Sequence, residues 1–222
     1  MTIWALIPVK AFADAKSRLS GILTPEQRAK LAQAMFRDTL SATALAEGLD
    51  GIAVVTKDPE AAEITRLAGA CVIDDQTQDL NDALTAGRMT LQNRLGAVDL
   101  IIIPADLPAV RASDIEELVK AHHAPTQIVL SPDHEGNGTN MLLTGGLTDF
   151  PYAFGPASYQ RHISQAKDLG YEATTFERAR ISADLDNPSD IDEIWQHAPG
   201  EHTKQALEAF RLSSHWPLKE VS

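Results

Sequence analysis

The chain has 222 residues, 44% of them hydrophobic, and a formal net charge of −12. This length and apolar content suffice for one full-sized core, and the negative balance argues against a broad nucleic-acid or anionic-membrane surface. No apolar run reaches membrane-spanning length, and the opening residues lack the charged-then-apolar layout of a secretory signal. Cys71 is the sole cysteine, which excludes an internal disulfide framework or a cysteine metal cluster and makes a reducing cytoplasm the expected location.

The charge is uneven. Residues 1–37 carry six basic side chains (Lys10, Lys16, Arg18, Arg28, Lys30, Arg37) against two acids, Asp14 and Glu26. A positive island on an acidic protein suits a compact polyanion held together with a metal ion, although solvated helix faces account for part of it.

Residues 2–9, TIWALIPV, form a buried strand closed by Pro8. Residues 10–21, KAFADAKSRLSG, are too polar and irregular for a core element. Thr24-Pro25-Glu26-Gln27 then opens a helix: Thr caps, Pro occupies the first turn and Gln completes a capping box. Leu31, Met35, Thr39, Ala42 and Leu45 make its packed face, and Gly48 stops it. Residues 51–56 are a second strand, Asp58-Pro59 opens a second helix ending near Gly69, and Cys71-Val72-Ile73 is a short third strand. A helix over about 80–95 leads to the apolar run Leu100-Ile101-Ile102-Ile103, a strand buried on both faces. Ser113-Asp114-Ile115-Glu116 reads as a capping box opening a helix to about His122. Strand and helix thus alternate with short links, the pattern of right-handed βαβ units in a parallel sheet.

The rhythm then changes. Residues 127–131 and 139–144 read as strands around a turn-rich stretch, and Gly155-Pro156-Ala157-Ser158 leads into a helix to about Leu169. Residues 171–176 suggest another strand, 180–185 an extended segment, and Asn187 a cap for a short helix. Residues 199–222 read as an appended amphipathic helix, with Ala206, Leu207 and Phe210 on one face, and an exposed tail holding Trp216.

Three constellations carry the chemistry. The first connection lacks both GxGxxG and GxxxxGK[ST], so neither dinucleotide binding nor P-loop hydrolysis is supported. It offers Lys10, Lys16, Ser17 and Arg18 instead, a set able to clamp a triphosphate or simply to decorate the surface. Asp106, in Pro104-Ala105-Asp106-Leu107-Pro108, follows the carboxyl end of a strand, where open α/β sheets place ligands. Its candidate partners for a divalent cation are Asp184 and Asp186, which alternation sends to one face of an extended segment. In Gly136-Asn137-Gly138-Thr139-Asn140 and the 155–158 turn, small residues bring backbone amides near a ligand, and Thr139 and Ser158 add hydroxyls. Pro156 in a first helical turn leaves amides and the dipole free for an anion. The histidines form no metal pattern; only His162 falls near a suspected site, and solvated or dipole-stabilising roles suit them better.

These stretches, IPVKAFADAKSRL near the start, PADLP at 104–108, GNGTN at 136–140, FGPAS at 154–158 and ADLDNPSDI at 183–191, resemble the 2-phospho-L-lactate guanylyltransferase (CofC) family, which includes phosphoenolpyruvate guanylyltransferases. The resemblance covers roughly residues 2–195. It implies a Rossmann-like, GT-A-like nucleotidyltransferase fold: one α/β domain over 1–198, a three-layer sandwich around a mostly parallel sheet, with 199–222 as an extension. It also implies transfer of GMP from GTP to the phosphate of 2-phospho-L-lactate, phosphoenolpyruvate or 3-phospho-D-glycerate, with Mg²⁺, in coenzyme F-420 biosynthesis, the product passing to a downstream deazaflavin transferase.

By the family pattern Thr139, Gly155 and Ser158 bind the phospho-acid, while Asp106 and Asp186 (or Asp184) hold Mg²⁺. Lys10, Lys16 and Arg18 are expected on the nucleotide, with Lys16 and Arg18 gripping the pyrophosphate opposite the acids and Asn81 near the guanine. Ala157 departs from the pattern, which would place a second glycine there. A homodimer is expected if residues 199–222 pack on a neighbour. The rivals are a molybdopterin-type nucleotidyltransferase, whose Gly-rich first loop is missing from residues 11–18, and a nucleotide-binding regulatory protein without turnover.

Overall fold

A computed structural model describes residues 2–146 and 150–211. Seven strands form one sheet in the order β3-β2-β1-β4-β6-β5-β7. These are β1 (Ile3–Val9), β2 (Gly51–Thr56), β3 (Cys71–Asp74), β4 (Asp99–Ile102), β5 (Gln127–Pro132), β6 (Thr139–Thr144) and β7 (Glu172–Thr175). All pairings are parallel except those of β6, which runs antiparallel to both β4 and β5.

The period-two alternation of β1 divides the core. Ala5, Ile7 and Val9 face one layer, with α1 (Pro25–Leu45), α2 (Pro59–Leu67) and α4 (Ala112–Lys120). Leu6 faces the other layer, where α3 (Leu80–Leu95) and α5 (Ser158–Asp168) pack. The expected three-layer, mostly parallel α/β fold is present. Because β2 lies on one side of β1 and β4 on the other, the chain direction reverses at the β1/β4 boundary, and the loops leaving their carboxyl ends splay into a crevice.

The Thr24 capping box is formed in both directions: the Gln27 amide donates to Thr24 Oγ1 (3.3 Å) and the Thr24 amide to Gln27 Oε1 (2.9 Å). Leu31, Met35 and Thr39 are buried as expected, but Leu45 is 75% exposed. A 21-residue helix is about 31 Å long and outruns the seven-residue strand beneath it.

Four expectations change. The cap of α4 is Arg111 rather than Ser113, with the Asp114 carboxylate reaching back to the Arg111 amide at 2.9 Å. Residues 180–185 are not uniformly extended: a short helix, α6 (Ala179–Ser182), comes first. There Arg180 clamps buried Asp114 with two bonds, at 2.8 and 2.6 Å, a tertiary contact that local propensity does not reveal. Asn187 does not cap α7 (Asp190–Gln196); Asp190 accepts from the Asp186 and Asn187 amides, at 2.9 and 2.6 Å.

Finally, α8 (Glu201–Ala209) is not an appendage. Leu207 is fully buried in the core cluster of α1, and Asp38 of α1 accepts the His202 and Thr203 amides at 3.1 and 2.7 Å. The part of the extension expected to pack on a neighbour thus packs, over α8, on its own chain. Trp216 and the tail lie outside the described residues. Among the described residues no helix is long and apolar enough to cross a membrane.

Candidate active site

The 10–21 loop is fixed from several sides. Phe12 is buried against Phe36, its amide donates to Asp58 at 2.9 Å, and Arg28 holds the Ala15 carbonyl at 3.3 Å. Lys16 then takes a left-handed conformation, φ 53°, before the 3₁₀ turn Ser17–Gly21. Such a backbone is costly for a side chain with a Cβ and persists where its surroundings enforce it, most often at functional sites. Here it turns the Lys16 side chain into the crevice, where it is only 7% exposed.

The Lys16 ammonium lies 2.8 Å from Asp106 Oδ2 and 2.7 Å from Asp186 Oδ1, and Arg18 reaches Asp186 Oδ2 at 3.2 Å. Lys16 and Arg18 therefore do not stand opposite the acids. The cations are paired with them. Asp106 arrives on the loop after β4. Asp186 is carried by a segment in which Ala183 and Leu185 are buried while Asp184 and Asp186 are half-exposed, so the expected alternation holds locally.

Asn140, for which no separate role is expected from its motif, orients Asp184. Its side-chain amide donates to the Ile181 carbonyl (2.9 Å), the Ser182 carbonyl (3.3 Å) and Asp184 Oδ1 (3.2 Å). The signal was present in GNGTN, a buried Asn at a strand start, but its partners lie some forty residues away.

The electrostatics follow from this crowding. Burial alone would lower the Lys16 pKa, but Asp106 and Asp186 outweigh it and hold it above its ordinary value. Burial would raise Asp186, but Lys16 and then Arg18 keep it below the usual carboxylate range. Asp184 is pushed up to about 6 by burial and the Asp106 charge, against the opposing Asn140 bond. Three carboxylates face two cations, and the unpaired charge resides on Asp184.

This donor set fits a divalent cation. Among the described residues no three His, Cys, Asp or Glu side chains form a preformed metal group. Mg²⁺, however, commonly takes one or two carboxylates and completes its shell with substrate phosphates and water. Asp106 and Asp186, with Asp184 beside them, are the residues that would hold it.

The crevice has a volume of about 440 Å³ and is lined by Lys10, Lys16, Leu84, Asp106, Phe154 and Asp186 among others. Lys10 also borders an adjoining hollow of about 110 Å³, with Lys57, Asp75, Thr77 and Gln78. The Asn81 side-chain amide donates to the Phe154 carbonyl (3.1 Å) and its oxygen accepts from the Phe154 amide (2.7 Å). It is a strut between α3 and the 150–157 loop.

The GNGTN and FGPAS stretches also meet, the Tyr159 amide donating to the Asn137 carbonyl at 3.2 Å. Ser158 begins α5 after Ala157, and Thr139 begins β6; both are buried. Gly155 has φ 120° and Ala157 φ 56°, so the position where the family pattern favours glycine is left-handed and occupied by a residue with a Cβ. The glycine-loop amides are not free for a ligand as expected. Asp133 accepts those of Asn137 (2.8 Å) and Gly138 (2.7 Å). Pro156 lies in the turn before α5, not in its first turn. His162 is fully buried rather than solvated.

Comparison with known proteins shows the fold and the family. The overall fold is that of nucleotidyltransferases: a structure from Desulfovibrio desulfuricans G20, described as a nucleotide-diphospho-sugar transferase, superposes with a TM-score of 0.74 at 12% identity, covering 96% of this chain and 99% of the other. The "Guanylyl transferase CofC like" family model matches residues 3–218, and the chain belongs to that family. The match runs past residue 198 into the segment first read as lying outside it. A phosphoenolpyruvate guanylyltransferase of Rubrobacter xylanophilus is 37% identical over 191 residues, 86% of this chain and 92% of the relative. A 2-phospho-L-lactate guanylyltransferase of Methanocaldococcus infernus is 30% identical over 207 residues, covering 93% and 91%.

Proposed function

We propose that this protein transfers the guanylyl group of GTP to the phosphate of a three-carbon phospho-acid, releasing pyrophosphate, with Mg²⁺ and as a step in coenzyme F-420 biosynthesis. The observation that carries the reading is the meeting of Asp106 and Asp186 on one buried ammonium in the crevice of a chain of this family. The relative at 37% identity supports phosphoenolpyruvate as the first acceptor to test, ahead of 2-phospho-L-lactate and 3-phospho-D-glycerate.

The chemistry matches the residues at hand. The nucleophile is a phosphate oxygen, ionised near neutrality because its second pKa is about 6. No general base is required, which agrees with a His162, beside Thr139, that burial holds neutral with a pKa of about 4. One acceptor P–O oxygen forms a bond to the α-phosphorus while the α–β bond breaks and pyrophosphate leaves with the electron pair. The main obstacle is repulsion between two polyanions, and positioning and charge neutralisation carry most of such a reaction.

Lys16 and Arg18 are placed to bind the triphosphate oxygens, and Lys10 lies between the crevice and the adjoining hollow. Asp106 and Asp186 would hold Mg²⁺, which would neutralise phosphate charge. Thr139, Gly155 and Ser158 orient the acceptor. The test incubates the protein with GTP and Mg²⁺ and follows pyrophosphate release with each phospho-acid in turn. Release that depends on one of the three is expected. Release with none of them, or equal use of CTP, contradicts the assignment.

A further inference from the structure

His162 joins the parts of the acceptor site without touching the crevice acids. It stands on α5 one turn beyond Ser158, is fully buried, and packs edge-on against Phe154, a residue of the crevice wall, at a centroid distance of 5.0 Å. Its two nitrogens have different partners. The Ala153 amide donates to Nε2 at 3.0 Å, and Thr139 Oγ1 lies 3.0 Å from Nδ1.

A backbone N–H can only donate, so Nε2 must be the unprotonated nitrogen. A neutral ring then carries its proton on Nδ1 and donates it to Thr139 Oγ1. Burial, followed by the neighbouring Arg161 charge, lowers the His162 pKa to about 4, so the ring is neutral at working pH. A hydroxyl that accepts from the ring keeps its own hydrogen for another partner. Thr139 thus faces its ligand as a donor, the polarity an anionic acceptor requires.

We propose that His162 is a positioning residue for the acceptor: its fixed Nδ1–H tautomer holds the Thr139 hydroxyl as a hydrogen-bond donor to the carboxylate or phosphate of the phospho-acid. The inference rests on the proposed function for its ligand, but its tautomer can be tested without turnover. The 150–157 loop is tied in by the same ring through the Ala153 amide, so acceptor loop and acceptor hydroxyl are set together.

Two substitutions separate this role from simple packing. His162→Gln can accept from the Ala153 amide but cannot reproduce Nδ1–H, whereas His162→Asn restores a donor near Nδ1 and loses the Ala153 contact. For His162→Gln the KM of the phospho-acid should rise roughly tenfold, as for loss of one hydrogen bond to a charged group, with the KM of GTP within about twofold. His162→Asn should recover most of that loss. Thr139→Val should match His162→Gln, and combining the two should add little.

Long-range ¹H–¹⁵N spectra of the free wild-type protein should show a protonated Nδ1 and an unprotonated Nε2. The opposite tautomer overturns the inference, as does an active wild type whose Gln and Asn variants lose GTP and acceptor affinity together in step with lowered melting temperatures. A wild type with the expected tautomer but no transfer to any acceptor overturns the functional reading, and the inference falls with it.

Discussion

Asp106 and Asp186 share one ammonium: Lys16 Nζ lies 2.8 Å from the first and 2.7 Å from the second. The loops after β1 and β4 and the segment before α7 therefore meet at a single buried positive charge. Lys16 lies between two carboxylates that its charge neutralises. Each crevice residue accordingly has a stability consequence that can be measured apart from turnover.

Lys16→Met leaves the two carboxylates facing each other with only Arg18 nearby. Breaking a fully buried pair from one side costs about 3–5 kcal/mol, and the partial exposure of both acids reduces the expected loss here to about 1–3 kcal/mol. Mg²⁺ should restore more stability to this variant than to the wild type. Urea unfolding at neutral pH, with and without Mg²⁺, measures both; unchanged stability with an unchanged Mg²⁺ response contradicts the arrangement.

The raised pKa of Asp184 has a definite sign. Its folded value of about 6 exceeds the ordinary 3.8, so the folded state holds this proton more tightly. The associated stability is present below pH 4 and is lost as pH rises through 6. His162, with its pKa lowered to about 4, gives a slope of opposite sign between 4 and 6.5, so the wild-type profile alone does not isolate Asp184. The comparison with Asp184→Asn does: the variant should gain melting temperature relative to wild type between pH 4 and 7 in the absence of divalent cations, and lose that advantage when Mg²⁺ is added. A constant difference across this range contradicts the assignment.

Ala157 offers a backbone test. Left-handed geometry costs a non-glycine residue roughly 1–2 kcal/mol, while glycine adds about 0.4–1 kcal/mol of unfolded-chain entropy. Ala157→Gly should therefore leave stability unchanged or raise it by up to about 1.6 kcal/mol, where the same substitution inside a helix lowers it by about 1 kcal/mol. Chemical denaturation decides; a loss near 1 kcal/mol shows that the turn is unstrained.

Shortening the chain at residue 198 removes Leu207 from the core and leaves the buried Asp38 carboxylate without the His202 and Thr203 amides. Lost burial of about 1.5–3 kcal/mol and an under-bonded carboxylate together should cost roughly 3–5 kcal/mol. A shortened protein with wild-type unfolding behaviour would restore the view of α8 as an appendage.

Those parts of the chain whose structure is set locally were legible in the sequence. The aliphatic runs of β1, β2 and β4 form buried strands, and Thr24 and Gln27 cap each other within four residues; Pro8, expected to close β1, is instead paired within it, and the strand runs on to Val9. Asp106 stood out because it follows the carboxyl end of a strand, and Asp184 and Asp186 because alternation puts them on one face of a single segment. What the sequence concealed depends on distant partners. Arg180 folds α6 against Asp114, Asp38 captures α8, and Asp133 takes the amides that the glycine loop was expected to offer. The position of Lys16 between the acids rather than opposite them depends on partners 90 and 170 residues away, which spacing does not encode. His162 looked solvated because nothing near it in sequence shows the aromatic cover of Phe150 and Phe154.

The central claim is that Asp106 belongs to the centre at which the guanylyl group is transferred. Asp106→Asn keeps the size and shape of the side chain, removes its charge and leaves Lys16 paired with Asp186. Pyrophosphate release from GTP with Mg²⁺ and the preferred phospho-acid, measured beside the melting temperature, is the most direct test. The expected result is a folded protein whose turnover falls by at least about 10²–10³-fold, the scale of losing a principal charge-stabilising group. Near-normal turnover of the folded variant contradicts it.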